Sequence, residues 1–441
     1  MFSRKDLTKL IIPLILEQIL LVTVGMADSM MVTGVSEAAV SGVSLVDSIN
    51  YLLIGLFSAL ATGGAVISAQ FLGHKENENA SSAGEQLILS TFIISIVLMV
   101  VTLIGKNLVL SILYGNVDTD VMDNAKVYFF YSAISYPFIA IYNACAALFR
   151  SMSNSKISLF ISFAMNLINI VGNAVLIYVF NMGVAGAAIA TLISRIFAAF
   201  VLYFLLKNKD MPIHIRSIRE FGYHKEIIKK ILHIGIPNGL ENSVFQIGKI
   251  LVQGIIAGLG TSAITANAVA GNVAGLGVLP GSAIGLALIT VVGQCIGAQD
   301  FDAVKKYTFK LMKLTYLIMA VLNVAIIFLI PLILKLYHLS DETSDIASGL
   351  MLYHCILASL IWPIAFALPN ALRAANDVRF TMWVSMISMW VWRIAFSYVL
   401  ALTLGLGVLG VWIAMTIDWL FRAVCFVARF MQAKYKTMSI L

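Results

Sequence analysis

The stretch Ile11–Val32 reads IIPLILEQILLVTVGMADSMMV. It is long and apolar enough to cross a hydrocarbon core as a helix, which takes about 20 residues. Within it lie Glu17, Gln18 and Asp28. A carboxylate near a bilayer centre costs at least roughly 2.5–3.5 kcal/mol, so it requires a partner, a proton or an ion. The stretch therefore predicts a membrane span that carries functional charge.

The rest of the chain agrees with that reading. Of 441 residues, 60% are hydrophobic and 12% are charged, against about 25% charged in average soluble chains. Mean hydropathy is +0.95. The net charge of +7 is distributed as topology signals rather than as a nucleic-acid surface, so no nucleic-acid partner is expected. Cys145, Cys295, Cys355 and Cys425 lie in separate apolar segments without C-x-x-C spacing and read as free thiols. The six histidines form no metal-ligand motif. The first apolar run has no cleavage site and contains Glu17 and Asp28, so it reads as a retained span.

Hydropathy predicts twelve transmembrane helices, near 11–33, 47–72, 86–109, 126–149, 157–180, 184–207, 230–257, 263–296, 310–334, 347–371, 380–403 and 408–431. Two polar stretches exceed a turn, Gly115–Asn124 and Lys207–Lys230. The expected organisation is a lobe over 1–206, a cytoplasmic connection over 207–229 and a second lobe over 230–441. Arg4, Lys5 and Lys9 precede the first span, and Lys207, Lys209, Arg216, Arg219, Lys225, Lys229 and Lys230 crowd the central connection. In a twelve-span arrangement, Lys75, Arg150, Lys156, Lys305, Lys306, Arg373, Arg379, Lys434 and Lys436 fall on the same side, opposite Lys106, Lys126 and Lys335. That bias predicts a multi-pass plasma-membrane protein with both termini cytoplasmic.

The halves align at an offset of about 224 residues. Pro13-x-x-x-Glu17 matches Pro237-x-x-x-Glu241, and Gln70-Phe-Leu-Gly73 matches Gln294-Cys-Ile-Gly297. Arg150 and Lys156 match Arg373 and Arg379, and Gly183-Val-Ala-Gly186 matches Gly407-Val-Leu-Gly410. An even number of spans per copy gives both copies the same orientation, as in transporters built from parallel repeats. The fold class is thus an all-α polytopic membrane protein of two parallel six-helix repeats. Gly63, Gly64, Gly183, Gly186, Ala187 and Ala188 allow close helix approach.

Function is sought where the symmetry breaks. Asp28 falls opposite Val252, Asn169 opposite Arg393 and Asn173 opposite Ser397. Asn169 and Asn173 are one turn apart on one helix face, and Thr191 adds a hydroxyl from the sixth span. Asp28, Asn169, Asn173 and Thr191 are the candidate coupling-ion site. An acid among carbonyl and hydroxyl oxygens suits sodium, and a desolvated acid alone suits a proton, because burial disfavours its charged form. Glu17, Glu241, Asp47 and Tyr136 are candidates for binding substrate or proton. Tyr51, Phe57 and Phe138 are candidate cavity residues. Arg393 and Asp418 form a candidate charge pair in the C-terminal half, where Lys249 and Arg422 are further charges, as is Arg195 in the N-terminal half.

These features resemble the multidrug and toxic compound extrusion (MATE) transporters. The specific pieces are Pro13 followed by Asp28, the loop Leu148-Phe-Arg-Ser-Met-Ser-Asn-Ser-Lys156, and Asn169-x-x-x-Asn173 leading into Gly183-Val-Ala-Gly-Ala-Ala-Ile-Ala-Thr191. The resemblance implies a cation site at Asp28, Asn169, Asn173 and Thr191. It also implies sodium- or proton-driven efflux of hydrophobic, often cationic drugs by alternating access of two lobes, in a protein that functions as a monomer and needs no cofactor beyond Na+ or H+. The chain departs from some members in having Asn173 where they carry an aspartate. One branch of the family has a glutamate where this chain has Phe245, and an acid in the tenth span, which this chain lacks.

The alternative within the same superfamily is a flippase for lipid-linked sugars, which usually has fourteen spans. An ATP-driven pump is excluded by the absence of G-x-x-x-x-G-K-[ST], and a membrane enzyme by the absence of a His/Asp/Glu cluster. A channel would not explain paired lobes with buried ionisable groups.

Overall fold

The computed structural model describes residues 2–115, 117–216 and 221–437; Arg219, among the basic residues of the central connection, lies outside them. Among the described residues there are no strands and twelve long helices. These are α1 (Arg4–Thr33), α2 (Glu37–Gly73), α3 (Asn77–Tyr114), α4 (Thr119–Ser151), α5 (Ser155–Val179) and α6 (Gly183–Leu205). The second series is α7 (Lys225–Ala257), α8 (Thr261–Gly297), α9 (Phe301–Tyr337), α10 (Asp341–Ala374), α11 (Val378–Thr403) and α12 (Gly407–Met431). Eleven are long and apolar enough to cross a membrane. The exception is α7, which carries Asn238, Glu241, Asn242, Gln246, Lys249 and Gln253 along its length.

The helices outrun the apolar segments that predict them. α3 begins at Asn77 rather than near 86, and α4 at Thr119, inside the polar stretch Gly115–Asn124. Hydropathy reports where lipid ends, whereas the backbone ladder continues until a cap stops it. Ser3 and Asp6 form a reciprocal capping box at the start of α1. Ser36 caps α2, Asp300 caps α9 and Ser340 caps α10.

The polar first turns of α3 have their own use. Buried Glu85 accepts from the backbone and guanidinium of Arg216 at 2.8–3.0 Å, and buried Gln86 is bonded to Gly222 and His224. The connection after α6 is thereby pinned along α3.

Two compact units are present, Phe2–Gly239 and Leu240–Leu441 apart from the first residue, and α7 contributes to both. Within the first, α2 and α7 approach closely: a side chain at Gly63 would meet the carbonyl of Ile231 and the backbone of Gly235. α1 contains Pro13, which cannot donate to the carbonyl of Lys9. Ser155 of α5 takes over, donating to Lys9 at 3.3 Å and Leu10 at 2.7 Å.

The repeat is written in the backbone as well as in the sequence. Left-handed residues recur in pairs: Lys75 and Gln299, Ser153 and Asn376, Asn181 and Gly405, Gly183 and Gly407. α5 and α11 both finish in wider, π-type turns, over Ala174–Val179 and Val399–Thr403. Gly186 packs against Leu176 as Gly410 packs against Leu400.

Candidate functional site

In the N-terminal unit, α1, α2, α4, α5 and α6 surround a cavity of about 170 Å3. Its polar lining includes Asp28, Asp47, Asn50, Asn173, Thr191 and Arg195. Asn173 is the last residue before the π-type segment of α5, a distortion often found at functional sites. Its Nδ2 donates to Asp28 Oδ1 at 2.7 Å. Asn169, one turn earlier, satisfies both of its neighbours with its amide nitrogen turned to Asp28, at 2.6 and 3.2 Å from the two carboxylate oxygens. Its oxygen then accepts from Thr191 Oγ1 at 3.0 Å. The four candidate ion residues are therefore contiguous.

One atom in this cluster stands out. Asn173 Oδ1 is buried and has no hydrogen-bond partner. An orphaned acceptor loses its water without replacement and costs about 1–3 kcal/mol. Beside a carboxylate and a hydroxyl, that oxygen fits a small hard cation. No group of three His, Cys, Asp or Glu residues that could hold a metal occurs among the described residues.

Asp47 and Tyr136 belong to the same region. Asn50 links them, donating to Asp47 Oδ1 at 3.3 Å and accepting from the Tyr136 hydroxyl at 2.9 Å. Arg195, which hydropathy reads only as a charge inside a span, donates to Ser135 at 2.6 Å and lines the cavity with both acids. Asn50, Tyr128 and Arg195 are the members sequence reasoning did not place. Their signal was polarity within apolar helices, without any indication of which face they share. Tyr51 lines this cavity. Phe57 packs on Tyr136, and Phe138 lies in a separate apolar groove with Phe200.

Glu17 and Glu241 lie among the lining residues of neither this cavity nor the one in the C-terminal unit. Glu17 faces Arg150 at 3.6 Å and accepts from Ser158 at 3.1 Å. Glu241 accepts from Arg373 at 2.7 Å and Ser385 at 2.6 Å. Each ties the helix after its proline to the equivalent arginine, which the sequence places in a polar loop. In the C-terminal unit, Arg393 stands 3.8 Å from Asp418, whose other oxygen takes Arg422 at 2.8 Å and a short bond from Ser388.

The MatE family model matches residues 13–175 and again 237–399, starting at the two prolines of the repeat. The uncharacterized transporter YisQ of Bacillus subtilis is 29% identical over 413 residues, spanning 92% of this chain and 89% of its own. The probable multidrug resistance protein NorM of Thermotoga maritima is 25% identical, over 99% and 94%. An outward-facing multidrug resistance MATE family transporter of the MOP superfamily superposes with a TM-score of 0.91 at 20% identity, covering 99% of this chain and 97% of that one. The doubled family match settles the lineage: this multi-pass membrane protein belongs to the MatE family of multidrug efflux transporters.

Proposed function

We propose that the chain is a secondary active exporter in which a sodium ion or a proton bound at Asp28 drives efflux of small hydrophobic compounds. The observation that carries this reading is the unpartnered Asn173 Oδ1 beside the Asp28 carboxylate. Both candidate ions make use of it. Sodium takes the oxygen as a ligand together with Asp28 and Thr191, whereas a protonated Asp28 donates its O–H to it. Binding either ion neutralises a charge whose exposure to the membrane interior is costly, and the four polar groups hold that charge in one place.

Alternating access of the two lobes completes the proposal, since net movement requires that the ion and the compound use opposite sides in turn. One charge crossing ~100 mV is worth roughly 2.3 kcal/mol, or about 50-fold in concentration. The basic residues gathered at alternate helix ends support a plasma-membrane location with both termini cytoplasmic. An ion cluster made within one chain supports a functional monomer. Twelve helices rather than fourteen weigh against a flippase for lipid-linked sugars.

The test is dye efflux from vesicles carrying either a sodium or a proton gradient. The driving gradient identifies the ion, and Asp28→Asn is expected to abolish efflux while the protein stays monodisperse. Wild-type efflux in that variant would remove Asp28 from the mechanism.

A further inference from the structure

The C-terminal unit contains a second cavity, of about 520 Å3. It is built from the duplicated positions of the first: Lys249 stands for Gly25, Val252 for Asp28, Gly271 for Asp47, Met415 for Thr191 and Trp419 for Arg195. Duplication has kept the hollow and reversed its charge. Both aspartates of the N-terminal cavity are lost here. In their place the lining holds Lys249 and Arg393, the latter at the position equivalent to Asn169. No carboxylate lines this cavity among the described residues.

The nearby acid does not neutralise it. Asp418 is fully buried outside the lining, and it is shared between Arg422 and Arg393. One negative charge thus serves two arginines, and the Lys249 ammonium lies over the face of Phe245, 5.0 Å from the ring centroid. One further donor is left waiting. The Nε of Arg393 is buried without a hydrogen-bond partner, whereas the buried His354 ring faces the backbone of Ala274. His354 is 4% exposed and stands edge-on to Trp412 and Trp419, with centroids 5.5 Å apart in each case. A buried donor lining a cavity without a partner, as Arg393 Nε is, is held for something that enters. The remaining wall is aromatic, with Trp362 stacked on Phe366.

We propose that this cavity binds an organic anion: an aromatic carboxylate whose charged end lies between Lys249 and Arg393 and whose ring lies against the tryptophans. Lysine and arginine supply charge-assisted donors to a carboxylate, and the aromatic wall accepts a flat apolar body. An organic cation meets only like charge here. The inference deepens the export reading by naming a substrate class, and its binding half stands without that reading.

The experiment uses the full-length protein purified in detergent, with 2-naphthoate as probe, 2-naphthylmethylammonium as its charge-reversed match, and quenching of the cavity tryptophans as readout. Naphthoate is expected to bind saturably and at least about tenfold more tightly than the ammonium compound, as a paired against a repelled charge requires. Lys249→Gln is expected to weaken naphthoate about tenfold or more, while Lys249→Arg, which keeps the charge, retains affinity and certifies the folded site. Equal binding of the two probes, or Lys249→Gln indistinguishable from wild type, would overturn the proposal and leave cation-driven export intact. Binding without gradient-driven movement of naphthoate in vesicles would instead sink the export reading for this compound class and leave the site standing.

Discussion

Substitution of Glu241 separates a structural brace from a transport residue. Glu241 is 7% exposed, and its Oε1 receives both Arg373 at 2.7 Å and Ser385 at 2.6 Å. The Arg373 side chain is itself only 11% exposed. Glu241→Ala therefore leaves a nearly buried guanidinium bonded chiefly to Asn370. Breaking one side of such a pair costs about 3–5 kcal/mol, a large part of the roughly 5–15 kcal/mol that holds a domain together. The equivalent Glu17→Ala should cost less, about 1–3 kcal/mol. Its arginine is more distant, at 3.6 Å, and is 17% exposed. Replacing both members, Glu241→Met with Arg373→Met, should recover most of the loss, because the desolvation penalty of the pair disappears with its attraction. The assay is the temperature at which detergent-purified protein loses its monodisperse chromatographic peak. If Glu241→Ala melts like wild type and yet fails to transport, the brace reading is wrong and the glutamate acts on substrate or proton.

Two further perturbations test the packing and the central connection. Gly63→Ala places a methyl 2.5 Å from the Ile231 carbonyl and 3.0 Å from the Gly235 nitrogen. Backbone cannot yield there as a side chain can, so a loss of about 1–3 kcal/mol is expected. Gly64→Ala, whose methyl meets the side chain of Leu87 first rather than backbone, should be milder in the same melting assay. Glu85→Gln weakens the two-pronged hold on Arg216, and trypsin should then cleave after Arg216 several-fold faster in native protein, since proteolysis follows local opening. An unchanged cleavage rate would show that the other contacts along α3 suffice to hold the connection.

The legibility of this chain differs between scaffold and site. Pro13 and Pro237, Gly183 and Gly407, and the paired Glu–Arg positions are local patterns that survive in linear order, so the repeat could be read by offset alone. Asp28 announces itself because an acid in an apolar run is expensive wherever the helix lies, and because the repeat sets Val252 opposite it while Glu17 is echoed by Glu241. Asn169 and Asn173 follow from helical spacing. Helix ends were less legible: the first turns of α3 are polar and yet helical, because Glu85 and Gln86 are buried under the connection they hold.

What sequence alone determined is the twelve-helix plan, its duplication, and the concentration of candidate ion-binding groups in one half. Those depend on composition, periodicity and spacing along one chain. Only tertiary structure decided which charges face one another. Glu17 and Glu241 turn to Arg150 and Arg373, more than a hundred residues away, rather than into either polar cavity described above. Lys249 and Arg393, on different helices, come to line one hollow, and Asp418, the acid beside Arg393, is not among its lining residues. The pairing of a buried charge is set by the rotation and contact of separate helices, and that information exists only once they pack.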